Sequence, residues 1–119
     1  MSGPMKNLLD QMSEANAEIS EGKYGAYLRE FRRFTAAAHA DGALLRKQKE
    51  LIAVGIALSK RCERCIAYHV KAALANGATA DELIEAAFVA VIMDGGPALS
   101  HIGLVLDAVR EFGGESHAS

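Results

Sequence analysis

The stretch that most restricts the fold is TADELIEAAFVAVIMD, Thr79 to Asp94. It opens with Thr79-Ala80-Asp81-Glu82, the pattern in which a threonine oxygen accepts the backbone N–H of the third helical residue while a glutamate reaches back to the threonine N–H. Beyond Glu82 only Glu85 interrupts the apolar circumference before Asp94. A helix that is apolar nearly all round has to be covered on most sides. Apolar residues three and four apart recur along the rest of the chain, and no segment alternates with period two. The expected fold class is all-α, a bundle of about six helices.

The other helices read as follows. Met5, Leu8, Leu9, Met12 and Ile19 mark a first amphipathic helix. Tyr24, Tyr27, Leu28, Phe31, Phe34 and Ala38 mark a second, with these aromatics as its core stripe and Arg29, Glu30, Arg32 and Arg33 opposite. His39 closes it as a C-terminal cap. A third runs from about Ala43 to Leu58, charged in its first half and uncharged in its second. A fourth begins near Arg61 or Cys62 and stops at Asn76-Gly77, a left-handed stop signal. The fifth is the Thr79 helix. Gly95-Gly96-Pro97 separates it from a sixth that reaches about Phe112, since proline suits a first helical turn. Residues 1–119 then form a single domain, with a core over about 24–112 and a flexible tail, 113–119, that contains His117.

A chain of 119 residues can bury a real core, yet with half its residues hydrophobic it carries more apolar helix surface than one copy covers. A symmetric homo-oligomer is expected, with the fifth and sixth helices against symmetry mates. The formal net charge of −2 and the scattered Lys and Arg leave no basic stripe, which argues against nucleic acid as a partner. The longest uncharged runs, LIAVGIALS and AAFVAVIM, fall short of the roughly 20 residues that span a bilayer. The N-terminus lacks the apolar run of a secretory signal, so the expected location is cytoplasmic. Two cysteines in such a chain point to thiol chemistry or metal binding and away from a disulfide framework.

Those cysteines stand in KRCERCIAYH, Lys60 to His69. At about 100° per residue, Cys62, Cys65, His69 and Ala73 share a helix face within an arc of about 80°. Cys62 falls in the first turn, where free N–H groups favour a thiolate, and Lys60, Arg61 and Arg64 add positive charge. A c-type haem handle needs a histidine directly after the second cysteine, and Ile66, Ala67 and Tyr68 intervene. Structural zinc needs four ligands; three are here, with Glu50 or His101 as the available fourth. The cysteines could also be small buried hydrophobes beside a hydrogen-bonded histidine. The shared face favours a redox pair, because cysteines three apart at a helix start close and reopen a disulfide with little backbone motion.

Glu50 stands where the third helix turns from charged to apolar, with Ala53, Val54 and Ala57 on its side. It is either a partly desolvated carboxylate serving a histidine or a surface partner of Arg46 four residues earlier. His101, beside Ala98, Val105 and Ala108, reads as a hydrogen-bonded core histidine, and His39 and His117 as no part of a site. Tyr68 and Arg64 project away from the cysteine face.

The run from Lys47 to Leu99 carries a glutamate twelve residues before CxxCxxxH, then AALxxGAT, then GGPAL. In that order and spacing it resembles the AhpD-like (alkyl hydroperoxidase D) branch of the carboxymuconolactone decarboxylase family. The resemblance implies an all-helical fold assembled as trimers or hexamers, the hexamer favoured. It implies a thiol-dependent peroxidase and disulfide oxidoreductase: Cys65 attacks the hydroperoxide, Cys62 resolves, and Glu50 and His69 relay protons. The implied partners are a hydroperoxide, a lipoamide-like dithiol and a peroxiredoxin, with no bound cofactor or metal. The decarboxylase branch does not rely on a CxxC pair. One departure is Arg64, where the best-known relatives place a second histidine. The competing expectation is a non-enzymatic redox or partner-binding helical module with a reversible disulfide.

Overall fold

The structure, a computed structural model, describes residues 3–113, and its regular structure is entirely helical. The helices are α1 (Pro4–Glu21), α2 (Gly25–His39), α3 (Arg46–Ser59), α4 (Glu63–Ala75), α5 (Ala80–Asp94), α6 (Gly96–Leu99) and α7 (Ile102–Phe112). Residues 114–119 of the expected tail, with His117, lie outside the described residues. No helix of the described residues is long and apolar enough to cross a membrane.

Helix α4 is the centre of the bundle. It packs against α1, α3 and α7 and buries Ile66, Ala67, Val70, Ala73 and Leu74. Val54, Ala57 and Leu58 face it from α3, while Leu83, Ala87 and Ala90 of α5 and Ile102, Val105 and Ala108 of α7 complete the core. Each fully buried Leu, Ile or Val contributes about 1.5–3 kcal/mol relative to exposure. Small residues let α3 and α5 approach closely: a Cβ added at Gly55 would sit 3.5 Å from the Ala86 carbonyl oxygen.

The core begins earlier than residue 24. Met5 is 1% exposed, and Leu8 and Leu9 pack against the same cluster. The cause is a long-range cap: the Glu111 carboxylate accepts the Met5 and Lys6 N–H groups at 3.2 and 2.9 Å, satisfying free donors of the first turn of α1.

The α3–α4 junction fixes where the cysteines sit. Arg61 N–H donates to the Leu58 carbonyl at 3.0 Å and Cys62 N–H to the Ala57 carbonyl at 3.1 Å, a paired closure normally built on glycine. Arg61 takes the left-handed conformation it requires, φ 55°. The chain therefore leaves the turn at Cys62, which becomes the N-cap of α4, and Glu63 is the first helical residue. The end of α4 uses the same closure with Gly77 at φ 94°.

Two expectations are corrected. The sixth helix is two, α6 and α7, because Ser100 Oγ donates to the Pro97 carbonyl at 2.8 Å and His101 Nδ1 lies 2.9 Å from the same oxygen, competing with the helical ladder. The aromatic stripe of α2 is not core: Tyr27 is 74%, Phe31 60% and Phe34 66% exposed. On α5, Ile92 and Met93 are 79% and 83% exposed, on the helix expected to lie against symmetry mates. Periodicity identifies both faces as apolar, but among the described residues no further helix lies over them.

Candidate active site

Cys62 and Cys65 are joined in a disulfide, with Cα atoms 5.2 Å apart across the first turn of α4. The N-cap role of Cys62 is direct, because its Sγ accepts the Cys65 N–H at 3.3 Å. A thiolate at that sulfur would keep this donor and face the positive end of the helix, both of which favour its charged form.

One helical turn on, His69 Nδ1 donates to Glu50 Oε1 at 2.7 Å. Glu50 is fully buried, a carboxylate held in the core by three partners. Its second oxygen accepts from Arg46 Nε at 3.1 Å and lies 3.5 Å from His39 Nε2. A carboxylate taken out of water is tolerated only when such donors satisfy it. With the His69 Nδ1 proton committed to Glu50, Nε2 is the nitrogen left to exchange a proton. The two readings of Glu50 thus coexist: it pairs with Arg46, but from the interior.

These groups open onto a cavity of about 400 Å³ between α1, α2 and α4. Cys65 and His69 line it together with His39, Tyr68 and the apolar side chains of Met12, Leu28 and Phe31. Cys65 lines this space and Cys62 does not, so the two sulfurs are inequivalent towards a small molecule entering it.

Of the residues singled out in the sequence, Cys62, Cys65, His69 and Glu50 converge. His101 does not; it is bonded within the α6–α7 turn. Two residues of the site went unrecognised. His39, read as a helix cap, reaches Glu50 from the end of α2, across a loop whose geometry no spacing rule encodes. Tyr68, read as projecting away, walls the cavity with its ring edge-on to His69, centroids 5.0 Å apart. Arg64 does turn away, donating to Gln11 Oε1 on α1 at 3.1 Å.

The zinc reading of Cys62, Cys65 and His69 has no thiolates to draw on while the sulfurs are bonded to each other. His39, Glu50 and His69 place donor atoms within 4.8 Å of one another. Both Glu50 oxygens already accept N–H donors, one of them from a guanidinium that would repel a cation, so the carboxylate is engaged by hydrogen bonds on both sides.

Residues 25–108 match the model of the Carboxymuconolactone decarboxylase family. The chain is 37% identical over 105 residues to uncharacterized protein 4 in the cox locus of Paracoccus denitrificans, covering 87% of this chain and 95% of that protein. A solved carboxymuconolactone decarboxylase family protein from Legionella pneumophila superimposes with a TM-score of 0.88 at 33% identity, over 93% of this chain and 98% of that one. A family member from Thermotoga maritima, for which a part in an antioxidative response has been suggested, aligns with a TM-score of 0.73 at 25% identity, over 94% and 97% of the two chains.

Proposed function

The chain belongs to the carboxymuconolactone decarboxylase family, and from that premise and its cysteine site we propose that it is a thiol-dependent peroxidase and disulfide oxidoreductase of the AhpD type. The observation that carries the reading is the Cys62–Cys65 pair at the start of α4, with Cys65 and His69 lining one cavity and Glu50 buried behind His69.

The cycle starts from two thiols. Cys65 gives its proton to the His69 imidazole, and the thiolate attacks the terminal oxygen of a hydroperoxide. An S–O bond forms, the O–O bond breaks, and the departing alkoxide takes a proton from His69 to leave as an alcohol. Cys62, as thiolate, then attacks the sulfenic acid on Cys65: the S–S bond forms, the S–O bond breaks, and hydroxide leaves protonated as water. Two thiols and one hydroperoxide have become a disulfide, an alcohol and water. An external dithiol of the lipoamide kind restores the thiols by exchange and is itself oxidised to a disulfide. Glu50 serves by holding His69 in one tautomer and orientation and by stabilising the imidazolium that forms.

The test is consumption of an organic hydroperoxide with dihydrolipoamide as reductant. The parent turns over and Cys65→Ser does not. A Cys65→Ser protein as active as the parent would remove the assignment. A reversible disulfide with no hydroperoxide-dependent turnover would instead support the redox or partner-binding module.

The reading includes self-assembly. It is supported by the apolar groove between α3 and α5, lined by Leu51, Ile52, Ile56, Val89 and Met93, and by the exposed aromatic face of α2. Surfaces of this kind are covered by symmetric copies in most soluble oligomers. Sedimentation should give a trimer or hexamer, and a stable monomer at micromolar concentration would contradict this.

A further inference from the structure

We propose that His39 is a second imidazole of this site, a positioning residue that shares the Glu50 carboxylate with His69 and holds a proton for the cysteine chemistry. The inference rests on the peroxidase reading for its consequence in turnover, and on geometry alone for its consequence at the thiols.

Three observations converge on His39. Its Nε2 lies 3.5 Å from Glu50 Oε2, while His69 Nδ1 bonds Oε1 of the same fully buried group. The two rings stand edge to face with centroids 6.2 Å apart. The His39 side chain is 21% exposed and lines the cavity that Cys65 lines. Its position is also fixed from outside: Lys49 Nζ donates to the carbonyls of Ala38 and Ala40, at 2.9 and 2.6 Å, tying the end of α2 to α3 on both sides of His39. A histidine serving only as a helix cap would need neither the carboxylate nor the cavity.

The chemistry gives the second ring a use. Two thiol protons must be held and then delivered, one to an alkoxide and one to hydroxide. A single imidazole facing the cavity has to be reloaded between the two deliveries. A carboxylate flanked by two imidazoles allows the proton to reside on either ring, with Glu50 facing both.

The charged and titratable groups around His39 lie on three helices and the loop after α2. From α3 come Glu50, Arg46 and Lys49; from α4, His69, Tyr68 and Cys65; from its own helix, Arg32. Asp41, in the loop that follows, accepts the Arg46 backbone N–H at 2.6 Å. Of the carboxylates, Glu50 is the one whose oxygen lies 3.5 Å from the His39 ring, so any influence of His39 on the cysteines runs through Glu50. Replacing Glu50 should therefore abolish the effect of replacing His39.

The experiment uses His39→Gln and His39→Ala in the full-length, reduced protein, with two readouts. The first is the rate of Cys65 alkylation by iodoacetamide against pH in a Cys62→Ser background. Loss of the His39 imidazole should move the midpoint upward by on the order of one pH unit, whereas Glu50→Gln alone should give the larger shift, and replacing His39 in that background should add nothing to it. The second is turnover of hydroperoxide with dihydrolipoamide, where kcat should fall by about tenfold, less than the roughly 10²–10⁴-fold of a group that transfers the proton itself, because His39 acts through Glu50, with KM for the dithiol unchanged. Circular dichroism and the unfolding midpoint of each variant separate these effects from loss of fold. An alkylation profile superimposable on the parent's, or moved downward, overturns the inference. If no variant and no parent consumes hydroperoxide, the peroxidase reading fails while the alkylation profile still decides the role of His39.

Discussion

Arg46 and Lys47 are neighbours in α3, and each pairs with a glutamate. Arg46 Nε reaches Glu50 at 3.1 Å, and Lys47 Nζ reaches Glu82 at 3.0 Å. The two carboxylates resemble each other in residue type, in having a cationic partner and in standing near the start of a helix. They differ in surroundings. Glu50 is fully buried and meets two histidines, whereas the Glu82 side chain is 39% exposed and spends its other oxygen on the Thr79 N–H at 2.9 Å, closing the cap of α5. Solvent screens the Glu82 pair, so it organises a helix end and little else. Glu50 itself is shut off from solvent although its partners are partly exposed, and it stands 2.7 Å from the His69 ring, so in the proposed mechanism its charge acts on the cysteine pair through that ring.

This comparison is most severely tested at Glu50 itself. Glu50→Gln should lower hydroperoxide turnover by about 10²-fold or more, the loss expected when a proton relay is interrupted, and Glu82→Gln should leave it within about twofold, since solvent screens that pair. Coupled assays with dihydrolipoamide read both. Equal losses would mean that burial does not separate the two carboxylates.

A smaller effect separates them in stability. Glu50→Leu leaves Arg46 and two imidazoles without their counter-charge and should destabilise the protein by about 3 kcal/mol, the lower end for a broken buried pair because Arg46 is itself 39% exposed. Urea unfolding of parent and variant, both with the disulfide closed, measures it. Thr79→Ala should cost about 1 kcal/mol through loss of the α5 cap and change no thiol property.

The least effect belongs to pH. The Thr79 backbone N–H, followed by the Lys47 ammonium, holds the Glu82 carboxyl below its ordinary value of 4.5. A carboxyl depressed in the folded state adds stability that is fully present above its unfolded value and is lost as pH falls through the folded one. Parent and Glu82→Gln should therefore differ near neutrality and converge in acid below pH 4.5. A difference that persists unchanged there would contradict the assignment.

How far the sequence discloses these features depends on whether their partners are local. The α5 cap was legible because Thr79 and Glu82 are three apart, and the end of α4 because Gly77 announces its left-handed backbone. The matching closure at the end of α3 was not, since arginine at position 61 gives no sign that it will adopt φ 55°. Cys62, Cys65 and His69 were placed on one face by helical spacing alone. His39 escaped because its relation to Glu50 crosses from one helix to another through a loop. The apolar faces of α2 and α5 were recognised, but periodicity says which side avoids water and not which molecule covers it. The aromatic stripe expected in the core is accordingly found exposed on α2.

The central claim is that Cys65 is the group that meets the hydroperoxide. In Cys62→Ser the sulfenic acid has no resolving thiol, so it can be trapped with dimedone and located by mass spectrometry after one equivalent of organic hydroperoxide. The predicted result is an adduct at Cys65 close to one per chain, formed faster than on free cysteine and slowed when Glu50 is replaced by Gln. An adduct that forms no faster than on free cysteine, or none at all, would contradict it.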